Sequence, residues 1–222
     1  MEDWIYKPDL QSDWMSLIFL LNLLIILILY KLDQNRLKSL INIFKLRIYF
    51  GKHSHEKELN YFSYFNLCCF ILVVSTLTLT YFSFSTYSPI PLYYSFEYYY
   101  LLLGLSFILI ARYLSTKFIF NQLGIFNKIK LTFYRSFTFT SQTSIFLIGL
   151  IFLWNYSSLP LILIESVLFL LALYWIISQF NVYFLFLKLR PKDIIYLILY
   201  LCTFKLAPWI WIYLFFLEQN YN

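Results

Sequence analysis

Glycine, cysteine, proline and charge are all scarce in this chain, and most of these scarcities exclude a class of protein. Four glycines in 222 residues cannot build the Gly-rich loop whose backbone N–H groups cradle a nucleotide phosphate. Of three cysteines, Cys68 and Cys69 are adjacent in one apolar stretch and Cys202 lies in another, which gives neither a disulfide framework nor a metal-ligand spacing. They read as packing residues. The six prolines fall mostly at turns, with Pro89, Pro91 and Pro160 marking short connections and suiting the first turn of a helix. No connection between apolar stretches exceeds about thirty residues, so a soluble catalytic domain of ~100 residues has no room. GxSxG, HExxH and paired-acid motifs are missing as well, which removes the usual signatures of hydrolytic and metal-dependent chemistry.

Two histidines, His53 and His55 in "HSH", are the nearest approach to a metal site. Residues two apart converge on one ion only from an extended backbone, and nothing but Glu56 and Glu58 stands nearby as a further ligand. They read as a solvated loop. No catalytic residue, metal or cofactor is therefore expected.

What the chain does have is apolar bulk: 61% hydrophobic residues, 23% aromatic and only 13% charged, the balance of a polytopic membrane protein. The 25 Phe and 21 Tyr are the bias that an AT-rich genome produces and are not read as ligand cages. Hydrophobic runs fall at about 14–30, 61–84, 93–113, 136–155, 159–187 and 194–217, each near the ~20 residues needed to cross a ~30 Å hydrocarbon core. The third and fourth are the weakest. One holds fourteen uncharged residues between Glu97 and Arg112, and the other opens on the polar stretch "SFTFTSQTS".

Charge placement gives the orientation. Of seventeen Lys and Arg residues, seven lie between the first and second runs, five between the third and fourth, and three between the fifth and sixth. The connections "STYSPIP" and "NYSSLP" carry none. Under a six-span reading every basic residue except Lys7 and Lys205 falls on one side, as cytoplasmic loops require. The formal charge of +6 thus points to the membrane surface and away from nucleic acid. The prediction is all-α: one transmembrane domain over residues 1–222, six helices, both termini periplasmic. The acidic start "MEDWIYKPDLQSDW" lacks a basic n-region and a small-residue cleavage site, so residues 14–30 are expected to be a retained helix. Trp4, Trp14, Trp154, Trp209, Trp211 and the tyrosines at 93, 94 and 98–100 are expected to form an interfacial belt at the outer boundary.

Two loop segments carry further expectations. Residues 35–50, "NRLKSLINIFKLRIYF", set Leu37, Leu40, Ile41, Ile43, Phe44, Leu46 and Ile48 among Arg36, Lys38, Lys45 and Arg47, the pattern of a basic amphipathic helix lying in the interface as a cytoplasmic surface. Its simplest role is orientation by anionic lipid. Residues 118–126, "FIFNQLGIF", are too short to span and are expected to be interfacial or re-entrant.

Two ionisable groups remain inside the runs, Glu165 and Lys205, each costing about 2.5–3.5 kcal/mol at the bilayer centre unless it faces the bundle interior or finds a partner. Lys205 falls ~18–20 Å from either end of its run and Glu165 ~10 Å below the outer surface. A lysine side chain can largely close the remaining axial gap, but Cα–Cβ tilt on antiparallel helices points the two groups apart. A direct pair and two separate solutions stay open. Pro208 cannot donate to the carbonyl of Phe204, which leaves an acceptor beside Lys205 and within a turn of Thr203. The expected result is a kink with a local polar patch, read as a packing lock ahead of a relay or anion site.

Residues 196–213, "YLILYLCTFKLAPWIWIY", resemble the closing motif of an uncharacterised Bacteroidota inner-membrane family, domain of unknown function forty-two seventy-one, whose pattern resembles "YLCTLEILPLLI". "FNQLGIFN" and the Leu159-Pro160 turn look similar too. The family's acidic residue is replaced here by Lys205. The resemblance implies a multi-pass protein of a bacterial inner membrane and no activity.

The resulting expectation is a non-catalytic integral membrane protein, an accessory or assembly subunit of a larger complex in envelope biogenesis or export, with the lipid bilayer and other membrane proteins as partners and no small-molecule substrate. The alternative is a small transporter or ion-coupled channel using Glu165 and Lys205, joined by Asn22 or Gln179. A lipid-modifying transferase lacks the clustered polar residues it would need.

Overall fold

The computed structural model describes residues 13–42, 50, 63–87, 98–122, 126–157 and 160–187. These residues form six helices: α1 (Asp13–Leu32), α2 (Gln34–Ile41), α3 (Tyr64–Tyr87), α4 (Tyr98–Gln122), α5 (Phe126–Tyr156) and α6 (Leu161–Leu187). No strand occurs among the described residues. All but α2 are long and apolar enough to cross a membrane. The chain is thus a helical membrane protein, and the sixth apolar run, 194–217, lies outside the described residues.

The two weakest runs are full helices. α4 continues nine residues past the expected end at 113, and α5 begins ten before 136. The segment 118–126 is therefore not a separate interfacial or re-entrant piece. Residues 118–122 close α4, and Phe126 opens α5 after a three-residue connection, the short link that makes consecutive helices antiparallel neighbours.

Polar α5 stays helical for a local reason. Thr138, Thr140, Ser141, Thr143 and Ser144 each donate to a carbonyl one turn back, Tyr134, Ser136, Phe137, Phe139 and Thr140 respectively, at 2.8–3.1 Å. A hydroxyl satisfied within its own helix no longer needs water, so "SFTFTSQTS" can enter an apolar layer. Thr76, Thr78 and Thr80 do the same on α3.

α3 and α5 form the centre. α3 packs on α1, α4 and α5, while α6 packs on α5. The buried core joins Ile18, Phe19 and Leu29 of α1 to Leu72 and Leu79 of α3 and to Tyr134, Ile148 and Ile151 of α5. On α6, Ile164, Leu168, Leu171, Trp175, Ser178 and Val182 are buried or half-buried, with Tyr174 and Gln179 beside them. Their alternating spacing of four and three is the seam by which one helix follows another at a shallow angle.

The amphipathic segment differs from expectation. Leu32 ends α1, and Asp33, extended at φ −157° and ψ 91°, caps α2 by accepting the Arg36 N–H at 2.9 Å. This is the ordinary N-cap arrangement for Asp. α2 then stops at Ile41, with Asn42 extended, so residues 35–50 are not one continuous helix. Nor does α2 simply present a wet face. Leu37 and Leu40 are buried in the main core.

Its direction follows from two contacts. Arg36 bonds to Tyr134 and the Ile41 carbonyl meets Gln142, eight residues or about 12 Å further along α5. α1 meets α5 in the opposite sense, Ser16 with Tyr156 and Phe19 with Phe152. α2 therefore folds back beside α1 and rises with α5.

Candidate functional site

The polar groups of the interior gather in three places, two of them on α5. At one end, the Arg36 guanidinium lies 4.2 Å over the Phe65 ring, and its Nη2 donates to Asn66 Oδ1 at 2.8 Å and Tyr134 OH at 2.9 Å. Tyr134 is 1% exposed and Asn66 4%. The cation is held in plane by two acceptors and from below by a π-face, which pins α2 to both central helices.

One to two turns along, α5 and α6 exchange hydrogen bonds in antiparallel register. Ser136 Oγ donates to Gln179 Oε1 at 2.6 Å and Gln179 Nε2 returns a bond to the Ser136 carbonyl at 3.2 Å. Trp175 Nε1 donates to Thr140 Oγ1 at 3.3 Å, and Tyr174 OH donates to Gln142 Oε1 at 2.7 Å. Gln142 is fully buried. Its amide has no carbonyl of its own helix within reach in the way the hydroxyls do, so it spans outward to Tyr174 on one side and to the Ile41 carbonyl on the other.

The third place is the junction of α1, α3 and α4. Asn22, fully buried, donates through Nδ2 to the Ile18 carbonyl at 3.0 Å and to Ser75 Oγ at 2.9 Å. Ser75 and Tyr98 share a hydrogen bond of 3.0 Å. Asn22 Oδ1 receives none. Above it, Trp14, Phe82 and Tyr98 pack ring against ring at 5.4–6.0 Å.

The residues singled out by sequence are dispersed. Glu165 stands on the exposed side of α6, four residues into that helix, and joins none of the three clusters. Lys205, Thr203 and Pro208 lie outside the described residues, as do Lys45, Arg47, His53 and His55. Lys38 is exposed, whereas its neighbour Arg36 is half-buried in the clamp. Asn22 and Gln179 are both interior and both bonded across helices. Trp154 is not an interfacial anchor: at 2% exposure it fills the small core between α5 and α6 with Leu150 and Ile164.

Sequence reasoning passed over Gln142, Asn66, Tyr134 and Ser75, because it weighed charge within the spans and treated the polar run on α5 only as a weakness. The available signal was chemical type. A glutamine amid serines and threonines is the one group there that a helix cannot satisfy internally.

No polar chain of carboxylates or imidazoles crosses the described bundle, and no group of three potential metal ligands occurs among the described residues. Bonded amides, hydroxyls and one clamped guanidinium can fix helix positions. The class that emerges is a multi-pass helical membrane protein with a hydrogen-bonded interior. No family model, curated protein or solved structure matches the chain. The family resemblance accordingly rests on residues 196–213, "FNQLGIFN" and the Leu159-Pro160 turn.

Proposed function

We propose that this protein is a non-catalytic subunit of a larger membrane complex, with an accessory or assembly role, crossing a bacterial inner membrane six times with both termini periplasmic. The observation carrying this reading is the position of α4. It is among the least apolar of the five membrane-length helices, yet only 6% of its span is buried within the chain. Its outer surface sets Tyr99, Tyr100, Ser115 and Lys117 beside Leu103 and Phe107. A lipid-facing helix is normally the more apolar one, so a mixed surface of this kind suits contact with protein. Glu165, exposed on α6, is a second group that a partner would relieve of contact with hydrocarbon.

The interior supports a structural role over transport. Asn22 and Gln179, the polar residues a transport pathway would recruit, are engaged in interhelical bonds. Six spans with cationic loops on one side remain the arrangement that segregates the basic residues, and the closing motif's resemblance supports the bacterial inner membrane.

Purification from native membranes in mild detergent, followed by mass spectrometry, tests the proposal. The expected result is a stoichiometric membrane-protein partner that is lost when Leu103 and Phe107 are replaced by bulky polar residues. A monodisperse solitary chain, or reconstituted ion flux abolished by Lys205→Met, would replace this reading with that of a transporter.

A further inference from the structure

A cation at the level of the hydrocarbon boundary needs an anion or several acceptors, and Arg135 on α5 has neither within the described structure. Its guanidinium lies 5.4 Å over the Phe50 ring, and Phe50 is itself backed by Phe139 at 5.5 Å. The Nε atom is buried with no hydrogen-bond partner, although the residue as a whole is half-buried and reaches the surface. Arginine carries five donors and stays charged.

The depth is informative. From Arg135 to Tyr156 is 21 residues, about 32 Å of helix at ~1.5 Å per residue, close to the ~30 Å thickness of a hydrocarbon core. With Tyr156 at one headgroup layer, Arg135 falls at the other, on the side of the basic loops. Clamped Arg36 sits at the same level, since it bonds to the adjacent Tyr134.

Among the described residues no local carboxylate can serve. No Asp or Glu occurs anywhere from Tyr98 to Ile164, a stretch with five Lys and Arg residues. Asp33 already caps α2 through Oδ1. Glu165 lies near the far end of the bundle: the antiparallel pairing of Ser136 with Gln179 sets it level with about residue 150, ~22 Å along the axis from Arg135.

We propose that Arg135, standing over the Phe50 ring, is a binding site for the phosphate of an anionic lipid headgroup. A ring on one face leaves the in-plane donors for an oxyanion, and a tetrahedral phosphate accepts from such a fork in two places. The hydrocarbon boundary is where a lipid phosphate stands and where a soluble phosphate is poorly placed to enter. This site does not depend on whether the protein has protein partners.

The test is thermal unfolding of the purified full-length protein in neutral detergent, with added phosphatidylglycerol, phosphatidylcholine or inorganic phosphate, alongside native mass spectrometry for retained lipid. Wild type should gain several degrees from phosphatidylglycerol only, and retain it. Arg135→Gln should lose that gain and retain at least fivefold less lipid, while Lys31→Gln, removing an exposed cation, keeps both. An equal gain in Arg135→Gln would reduce the effect to general surface charge and overturn the site. Stabilisation by inorganic phosphate alone would overturn the assignment to lipid. Should Arg135→Gln not fold, Phe50→Leu keeps the charge and removes its backing: weakened lipid retention supports the site, and unchanged retention rejects it.

Discussion

Arg36, in the first turn of α2, donates through Nη2 to the phenol of Tyr134 on α5 at 2.9 Å. The bond joins residues 98 positions apart and sets the course of α2. A cation that sequence alone would leave in the interface is drawn into the bundle, because Asn66 and Tyr134 supply acceptors and Phe65 a π-face.

Tyr134→Phe removes one of the two acceptors of Arg36 Nη2 and should lower stability by about 1–2 kcal/mol, within the range for a hydrogen bond to a charged group. Arg36→Met removes both and the stacking. In that variant a cysteine placed at Leu40, buried in the native chain, should react with maleimide faster than in the wild-type background. An unchanged rate would mean that Leu37 and Leu40 hold α2 without the clamp.

Gln142 and Tyr174 form an interhelical pair suited to a double-mutant cycle. Gln142→Leu strands the Tyr174 hydroxyl, and Tyr174→Phe strands the Gln142 carbonyl oxygen. Each should cost about 1–2 kcal/mol, with the double variant recovering part because neither orphan remains. A coupling of about 0.6–1.7 kcal/mol is the scale for such bonds in membranes. Strict additivity in detergent unfolding would show that the pair does not form.

The hydroxyls of α5 should behave oppositely. Thr138→Val and Thr143→Val remove bonds made within the helix itself, so stability should change by less than about 0.5 kcal/mol and membrane insertion should improve. A loss as large as that of Gln142→Leu would mean that these hydroxyls bond between helices.

Asn22 offers a test of the interior as structure. Its Oδ1 is buried without a donor, a cost that Asn22→Leu would remove, while Ser75 keeps its bond to Tyr98. Stability should be unchanged or rise by about 1 kcal/mol. If thermal unfolding instead shows a loss beyond about 1 kcal/mol, the α1–α3 bond to Ser75 outweighs the orphaned oxygen.

For Lys205, the proposal of a packing lock predicts that both Lys205→Met and Lys205→Glu unfold at lower temperature than wild type. No loss in either would remove the packing role and return the residue to the transport alternative.

Much of the architecture was legible from hydropathy, because a hydrocarbon layer imposes one length and one polarity on every crossing. The edges of α1, α3 and α6 fall within a few residues of the expected runs. α4 and α5 were underestimated, since Arg112 and "SFTFTSQTS" were weighed by average polarity when every hydroxyl of that stretch except Ser136 has an acceptor one turn back. The interior was less legible. Asn22, Gln142 and Gln179 look equally awkward in one dimension, and Arg36 looks like one cation among several.

Sequence by itself determined that the chain is helical and membrane-embedded, since these follow from composition and from spacing along the chain. Only tertiary structure decided that α2 folds back along α5, that Arg36 is clamped while Arg135 stands over Phe50, and that Glu165 faces outward. Hydrogen bonds between helices join residues 23 to 140 positions apart, and which acceptor meets which donor depends on helix rotation and register, which no local pattern encodes.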